Sequence, residues 1–178
     1  MTPNFNWYKP ECVYLTAGAA NGGTNLNAFD NALRDAGITD FNLIEISSIV
    51  PAGTPVKHLD DGAMIPANGL FGPAIYEDIR SDEEGTEIAS AVGVGIPERD
   101  DIPGMVFAYS CVDELEEADR VVRQMVDEGM QKRGCDRYST KTAVDSTVAG
   151  TEHSAVISAA LFCDDELREL VESTANDG

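Results

Sequence analysis

The stretch FNLIEISSIVPAG (residues 41–53) begins with the apolar and β-branched residues of a strand and then places two serines side by side before a proline. We predict one strand over residues 41–49. Serines at the end of a strand often only terminate it, because their hydroxyls bond to nearby backbone groups. The pair Ser47–Ser48 must therefore be interpreted from the sequence around it.

Before this stretch, CVYLTAG (12–18) predicts a strand, and AANGGTN (19–25) predicts a loop. Apolar residues at helical spacing then predict a helix over 25–36, which Gly37 ends. After it, residues 50–72 are dense in glycine and proline, and we expect a long irregular segment with a functional or interface role.

The rest of the chain is predicted to hold further strands and two helices. The predicted strands are 73–81, 86–97 and 104–112, followed by a hairpin of 137–150 and 153–163; the helices run from an N-cap at Asp113 to a stop at Gly134, and over 164–174. Small residues between Ala89 and Gly95 predict a sheet that another layer covers closely. Because the strands and helices show no regular βα repeat, we predict an α+β sandwich in one folding unit, residues 1–178.

The chain is strongly acidic, with 32 acidic against 12 basic residues and a net charge of −20. This charge excludes nucleic acid and anionic membranes as expected partners. An acidic, lysine-poor composition favours a protein kept soluble in concentrated salt, and an acidic mesophilic protein is the alternative. The N-terminal sequence lacks a basic region followed by an apolar one, so we expect a cytoplasmic protein.

Common catalytic and metal-binding motifs are missing from the sequence. The four cysteines form no CxxC pair, and His58 and His153 have no second ligand nearby, so we expect no metal and mostly buried free thiols. There is no P-loop, no GxGxxG spacing and no GxSxG motif. An enzyme with this sequence needs an unusual cofactor.

The serine pair can supply such a cofactor. A serine hydroxyl that attacks the preceding carbonyl turns the amide into an ester, and elimination and hydrolysis then leave a pyruvoyl group at Ser48, with the chain cut after Ser47. A pyruvoyl ketone forms a Schiff base with an amino acid and acts as an electron sink for decarboxylation.

The sequence around the pair resembles the pyruvoyl-dependent arginine decarboxylase family. The resemblance lies in LNAFD (26–30), Gly37, Asn42–Leu43 and SSI-x-P (47–51), and it continues through GTEI (85–88), Ile96–Pro97, Gly104 to Tyr109 and GMQKRG (129–134), covering roughly residues 12–163. It implies a four-layer αββα sandwich, a homotrimer or dimer of trimers with active sites at subunit boundaries, and conversion of L-arginine to agmatine and CO2 for polyamine metabolism.

The resemblance also implies roles for individual residues. Ser48 becomes the pyruvoyl group, so that self-cleavage gives a β-chain of 1–47 and an α-chain of 48–178. Asn42 orients the scissile carbonyl, and Asp30 binds the guanidinium group of the substrate. The apolar pocket walls are Leu26, Leu33 and Ile49.

One position departs from the family pattern. Where the family has a glutamate before a tyrosine, thought to return a proton to the substrate carbon, this chain has Ala108 in FAY. Loss of a general acid typically costs a factor of about 10²–10⁴. Glu45 is one candidate replacement. The alternatives left open are a non-catalytic homologue acting as a partner subunit and a decarboxylase of another amino acid.

Overall fold

A computed structural model describes residues 10–174 as two β-sheets with helices on their outer faces. In chain order the elements are β1 Cys12–Gly22, α1 Asn25–Asp35, β2 Asn42–Glu45, β3 Ile49–Val50, β4 Val56–His58, β5 Phe71–Ser81, β6 Glu87–Pro97, β7 Gly104–Cys111, α2 Leu115–Lys132, β8 Tyr138–Val148, β9 His153–Cys163 and α3 Asp165–Thr174.

The strands divide into a five-stranded sheet, β2-β5-β9-β1-β4, and a four-stranded sheet, β3-β7-β6-β8. In the five-stranded sheet β9 pairs antiparallel with both β1 and β5, whereas β2 and β4 pair in parallel with β5 and β1. Every pair in the four-stranded sheet is antiparallel.

Four layers result from these sheets and helices. Helices α1 and α3 pack on the outer face of the five-stranded sheet, and α2 packs on the outer face of the four-stranded sheet. Between the sheets lies an apolar cluster built from Val13, Leu15, Val50, Val56, Ile75, Val92, Val94, Val106, Ala143, Ala160 and Phe162. The predicted αββα sandwich is confirmed.

Helix α1 begins where the sequence predicts and ends one residue earlier than predicted, at Asp35. The hydroxyl of Thr24 accepts a hydrogen bond from the amide of Asn27 at 3.2 Å, and Gly37 follows the helix with a φ of +76°. The helix lies very close to β1: a Cβ on Gly18 would be 2.4 Å from the backbone nitrogen of Ala36. Strand β1 nevertheless continues through residues 19–22, so the predicted loop is restricted to the short connection before α1.

Helix α2 places its buried side chains over the small residues of β6. A Cβ on Gly95 would lie 2.7 Å from Cγ of Met130, which explains the run of alanine and glycine in this strand. The predicted N-cap at Asp113 is one residue early, because Glu114 occupies the cap position. The backbone amide of Glu114 donates a hydrogen bond to the carboxylate of Asp113 at 2.8 Å. Gly134 follows the helix with a φ of +69°, as expected.

The predicted hairpin of the last two strands is wrong. Strand β8 pairs with β6 in the four-stranded sheet, whereas β9 lies at the centre of the five-stranded sheet. The difference follows from burial. Strand β9 is almost entirely buried and needs cover on both faces, while β8 is mostly half-buried and forms an edge of its sheet.

Candidate functional site

The Ser47–Ser48 peptide bond lies where the chain passes from one sheet to the other. The amide of Ile46 still donates to the carbonyl of Ala74 in the five-stranded sheet, at 3.0 Å. The carbonyl of Ser48 already accepts from the amide of Val106 in the four-stranded sheet, at 2.9 Å. The single strand predicted over 41–49 is therefore wrong. The segment forms β2 and β3, which belong to different sheets and are joined by residues 46–48.

The backbone bends sharply at this crossing. The amide of Ile49 donates a hydrogen bond to the carbonyl oxygen of Ser47 at 3.0 Å, which closes a three-residue turn centred on Ser48. We call residues 46–49 the serine turn. Its hydrogen bond points at the oxygen that gains negative charge if a nucleophile attacks the Ser47 carbonyl carbon.

Ser48 and Ala108 lie on the same face of neighbouring strands. In the β3–β7 register Val50 lies opposite Gly104, and Val50 is buried between the sheets. The hydrogen bond from the Val106 amide to the Ser48 carbonyl continues this register, so Ser48 lies opposite Val106, which is also buried between the sheets. Ala108 also packs against the cluster between the sheets. Residues related diagonally across strands are roughly 7–8 Å apart, so these two positions, distant in sequence, are close in space.

Glu45 lies on the other face. It is exposed at the end of β2, and alternation places it with Leu43, which packs against the cluster beneath α1. Ala108 faces the space between the two sheets instead. The structure does not bring Glu45 and Ala108 together.

Asn42 begins β2 and binds the loop that precedes β5. Its Nδ2 donates to the carbonyl of Gly69 at 2.8 Å, and its backbone amide donates to Leu70 at 2.9 Å. The hydrogen bond that reaches the Ser47 carbonyl in this chain comes from Ile49.

The predicted substrate-binding residues differ in exposure. On α1, Leu26 is 68% exposed and Asp30 is exposed, whereas Leu33 is 8% exposed within the core beneath the helix. Ile49 is 39% exposed at the serine turn. The α1 residues therefore belong to the outer layer, while Ser48 faces the inner layer. Neither of the two cavities described below contains Asp30 or Ser48.

Two cavities in the described part of the chain do not include the serine turn. One, of about 370 Å³, lies between residues 50–56 and the ends of β6 and β8. The other, of about 570 Å³, is acidic and includes Asp35, Asp60, Asp61 and Asp145. Neither cavity is lined by a predicted site residue.

Cysteines are one class of potential metal ligand in this chain. All four cysteines are free thiols, and Cys12, Cys135 and Cys163 are buried. Burial raises the pKa of the Cys163 thiol to about 12. Over residues 10–174 we find no group of three or more His, Cys, Asp or Glu side chains placed to hold a metal ion. In the same range no helix combines the length and apolarity needed to span a bilayer.

A polar row between the sheets was missed by the sequence analysis. We use this name for Glu77 of β5, Ser158 of β9, Ser90 of β6 and Ser110 of β7. Ser110 Oγ donates to Glu77 Oε1 at 3.1 Å, Ser90 Oγ donates to the Glu77 carbonyl at 2.9 Å, and the hydroxyls of Ser90 and Ser158 are 2.7 Å apart.

The sequence does contain a signal for this row. Glu77 lies two residues from Ile75 and two from Ile79 in the predicted strand. Its carboxylate therefore shares one face of the strand with two apolar side chains. Polar residues at core positions are unusual unless they have a partner or a function. The partner Ser110 lies on another sheet and could not be identified from the sequence.

Most of the chain is similar to known proteins. The family model of pyruvoyl-dependent arginine decarboxylase matches residues 12–167. The Pyrococcus furiosus protein of that name is 37% identical over 161 residues, covering 88% of this chain and 98% of the relative. That of Pyrococcus horikoshii is 43% identical over 131 residues, covering 72% and 79%. That of Methanocaldococcus jannaschii is 39% identical over 154 residues, covering 83% and 88%.

A solved structure of pyruvoyl-dependent histidine decarboxylase is a more distant match. It has a TM-score of 0.48 and 15% sequence identity, covering 80% of this chain and 71% of the other. The family model and the relatives, each matching more than two thirds of the chain, establish that it belongs to the pyruvoyl-dependent arginine decarboxylase family.

Proposed function

We propose that this protein cleaves itself between Ser47 and Ser48 and then decarboxylates L-arginine to agmatine and CO2. The observation that carries the proposal is the serine turn, in which the peptide bond to be cut lies at a sharp bend and its carbonyl accepts the Ile49 hydrogen bond. Family membership supports the choice of arginine.

The residues present fit the formation of a pyruvoyl group. Ser48 Oγ attacks the Ser47 carbonyl carbon, the Ile49 amide stabilises the charge on the carbonyl oxygen, and the Ser48 nitrogen leaves to give an ester. Removal of the Ser48 α-proton expels the Ser47 carboxylate and leaves dehydroalanine, which water hydrolyses with loss of ammonia. The resulting ketone supplies an electron sink for decarboxylation.

The chain's own residues also fit an arginine-sized substrate. The carboxylate of Asp30 is exposed on α1 and suits a guanidinium group. Leu26 and Ile49 expose apolar surface for the methylene groups, and Leu33 supports the helix from beneath. Because α1 and Ser48 belong to different layers of one chain, we propose that two chains complete each site within a trimer or a dimer of trimers.

The acidic composition supports a cytoplasmic location in a cell with high internal salt. At 0.15 M ionic strength the Debye length is about 8 Å and at 1 M about 3 Å, so concentrated salt screens the repulsion among 32 acidic residues. We propose a role in polyamine metabolism for the agmatine formed.

Denaturing mass spectrometry of the purified protein tests self-cleavage. We expect two fragments, 1–47 and a blocked 48–178, in the wild type and a single chain in Ser48→Ala. Ser139→Ala, which removes an exposed hydroxyl on β8, is a matched control and should cleave normally. An intact wild-type chain would contradict the proposal.

Release of labelled CO2 from carboxyl-labelled arginine tests the reaction. We expect release by the cleaved wild type and none by Ser48→Ala. A cleaved wild type that releases CO2 only from another amino acid would retain the chemistry and exclude arginine. Release from no amino acid would leave a self-cleaving protein without decarboxylase activity.

A further inference from the structure

The polar row and the serine turn both meet strand β7, on the same face of that strand. Val106 is hydrogen-bonded to Ser48, Ala108 is the next residue on the same face, and Ser110 is the one after it. Two residues of a strand span roughly 7 Å. Ala108 therefore lies between Ser48 and the Ser110–Glu77 hydrogen bond.

Ala108 presents only a methyl group at this point of the strand. Its methyl group lies among the side chains between the sheets, opposite Val92 in the β6–β7 register. Strand β5 packs across from β7, so side chains of β5 that point between the sheets face this part of β7. Glu77 is the neighbouring acid on β5 and is already held across the layer by Ser110 at 3.1 Å.

The reaction proposed above needs a proton donor on this face. When the bond between the α-carbon and the carboxyl carbon breaks, CO2 leaves and its bonding electron pair remains with the substrate. A new C–H bond must then form at the former α-carbon, and a positioned acid accelerates such a step by about 10²–10⁴.

We propose that Glu77 is this acid. This inference rests on the proposed function. The Glu77 O–H bond breaks as the C–H bond forms, and the carboxylate left behind regains its proton from water. Ser110 positions the carboxyl group through its hydroxyl, and Ser90 fixes the backbone of β5 by donating to the Glu77 carbonyl at 2.9 Å.

Glu77→Gln removes the acid while keeping the side chain's shape and its ability to accept the Ser110 hydrogen bond. We expect kcat for CO2 release from arginine to fall by about 10²–10⁴, with KM changed less than threefold. Asp145→Asn is the matched control, because Asp145 lies beside Ser90 in the same register but on the other side of β6 from β7. Its kcat should stay within threefold of wild type.

The double variant Glu77→Gln with Ala108→Glu tests whether the missing group is an acid. A carboxyl group at position 108 is on the same face as Ser48, so we expect kcat to recover at least tenfold over Glu77→Gln alone. A purely structural role for Glu77 would not be restored by a carboxyl group on a different strand. The melting temperatures of all variants, measured alongside, report on folding.

Covalent trapping gives a readout other than turnover. Cyanoborohydride reduces the Schiff base between arginine and the 48–178 fragment, and mass spectrometry measures the added mass. Glu77→Gln should cleave itself and trap arginine as the wild type does. The assignment would be overturned if Glu77→Gln kept the wild-type kcat or lost the ability to trap arginine. It would also be overturned if Asp145→Asn lost as much kcat as Glu77→Gln, or if the double variant recovered no activity. If the wild type fails to cleave or to release CO2, the proposed function fails as well.

Discussion

The amide of Ile49 and the carbonyl oxygen of Ser47 are joined by a 3.0 Å hydrogen bond across the peptide bond expected to be cut. Ile49 lies opposite Met105 in the β3–β7 register. The hydrogen bond from β7 is accepted by the neighbouring Ser48 carbonyl, and the Ile49 amide donates within the turn. A donor in this position stabilises charge on the attacked carbonyl.

Ile49→Pro should therefore slow self-cleavage. Proline has no backbone N–H, so the Ser47 oxygen loses its donor. Loss of one such donor costs roughly 10²–10³ in rate. Mass spectrometry of freshly made protein over time measures the cleaved fraction. Ile49→Ala shortens the same side chain but keeps the amide, and it should cleave much faster than the proline variant. Equal rates for the two would show that the hydrogen bond is not used.

Local sequence patterns were sufficient to predict most elements of this fold. Helix α1 was confirmed because its apolar spacing and Gly37 both act within a few residues of the helix. The sheet to which each strand belongs depends on partners far away in the sequence. That is why the break between β2 and β3, and the separation of β8 from β9, were not predicted.

The candidate site stays a prediction. The serine pair can be identified from a local motif, whereas Asp30 and the roles expected of all three residues come from the family resemblance. The closeness of Ser48 to Ala108 depends on the β3–β7 register, and the Glu77–Ser110 contact depends on the packing of two sheets. Neither relationship is encoded in a short stretch of sequence.

Asp30→Asn should weaken arginine binding without affecting self-cleavage. Asp30 is exposed on α1, in a different layer from the serine turn. A hydrogen bond to a charged group is worth about 1.5–3 kcal/mol, so KM for arginine should rise by about 10–10²-fold. Steady-state CO2 release measures this effect. Asp40→Asn removes the same charge from an exposed residue after the helix and should leave KM unchanged. Equal KM values for the two variants would remove Asp30 from the binding site.

Gly18→Ala should destabilise the protein. The added Cβ would lie 2.4 Å from the nitrogen of Ala36 and 2.7 Å from the oxygen of Ala32, and both are backbone atoms that cannot rotate away. Overpacking of this kind typically costs about 1–3 kcal/mol, and each kcal/mol lowers Tm by about 2–4 °C at this chain length. Gly150→Ala, whose Cβ would meet nothing within 4 Å, is the control and should keep the wild-type Tm. A wild-type Tm for Gly18→Ala would show that α1 can move away from β1.

Asp145→Asn should stabilise the protein at neutral pH. Burial, with a smaller contribution from Asp35, raises the pKa of the Asp145 carboxyl above its ordinary value, although the Ser146 amide bonded to it opposes the shift. The folded state therefore holds this proton more tightly than the unfolded state, in which the pKa is about 3.9. The resulting stability is fully present below that value and is lost as pH rises through the folded-state pKa.

The amide of asparagine cannot ionise and can still accept the Ser146 hydrogen bond. Melting curves from pH 4 to pH 8 should therefore show Asp145→Asn gaining stability over the wild type as pH rises, with little difference at pH 4. Asp136→Asn, at an exposed position, is the control and should not separate from the wild type in this way. Parallel curves for Asp145→Asn and wild type would mean that Asp145 is as well hydrated in the folded protein as in the unfolded chain.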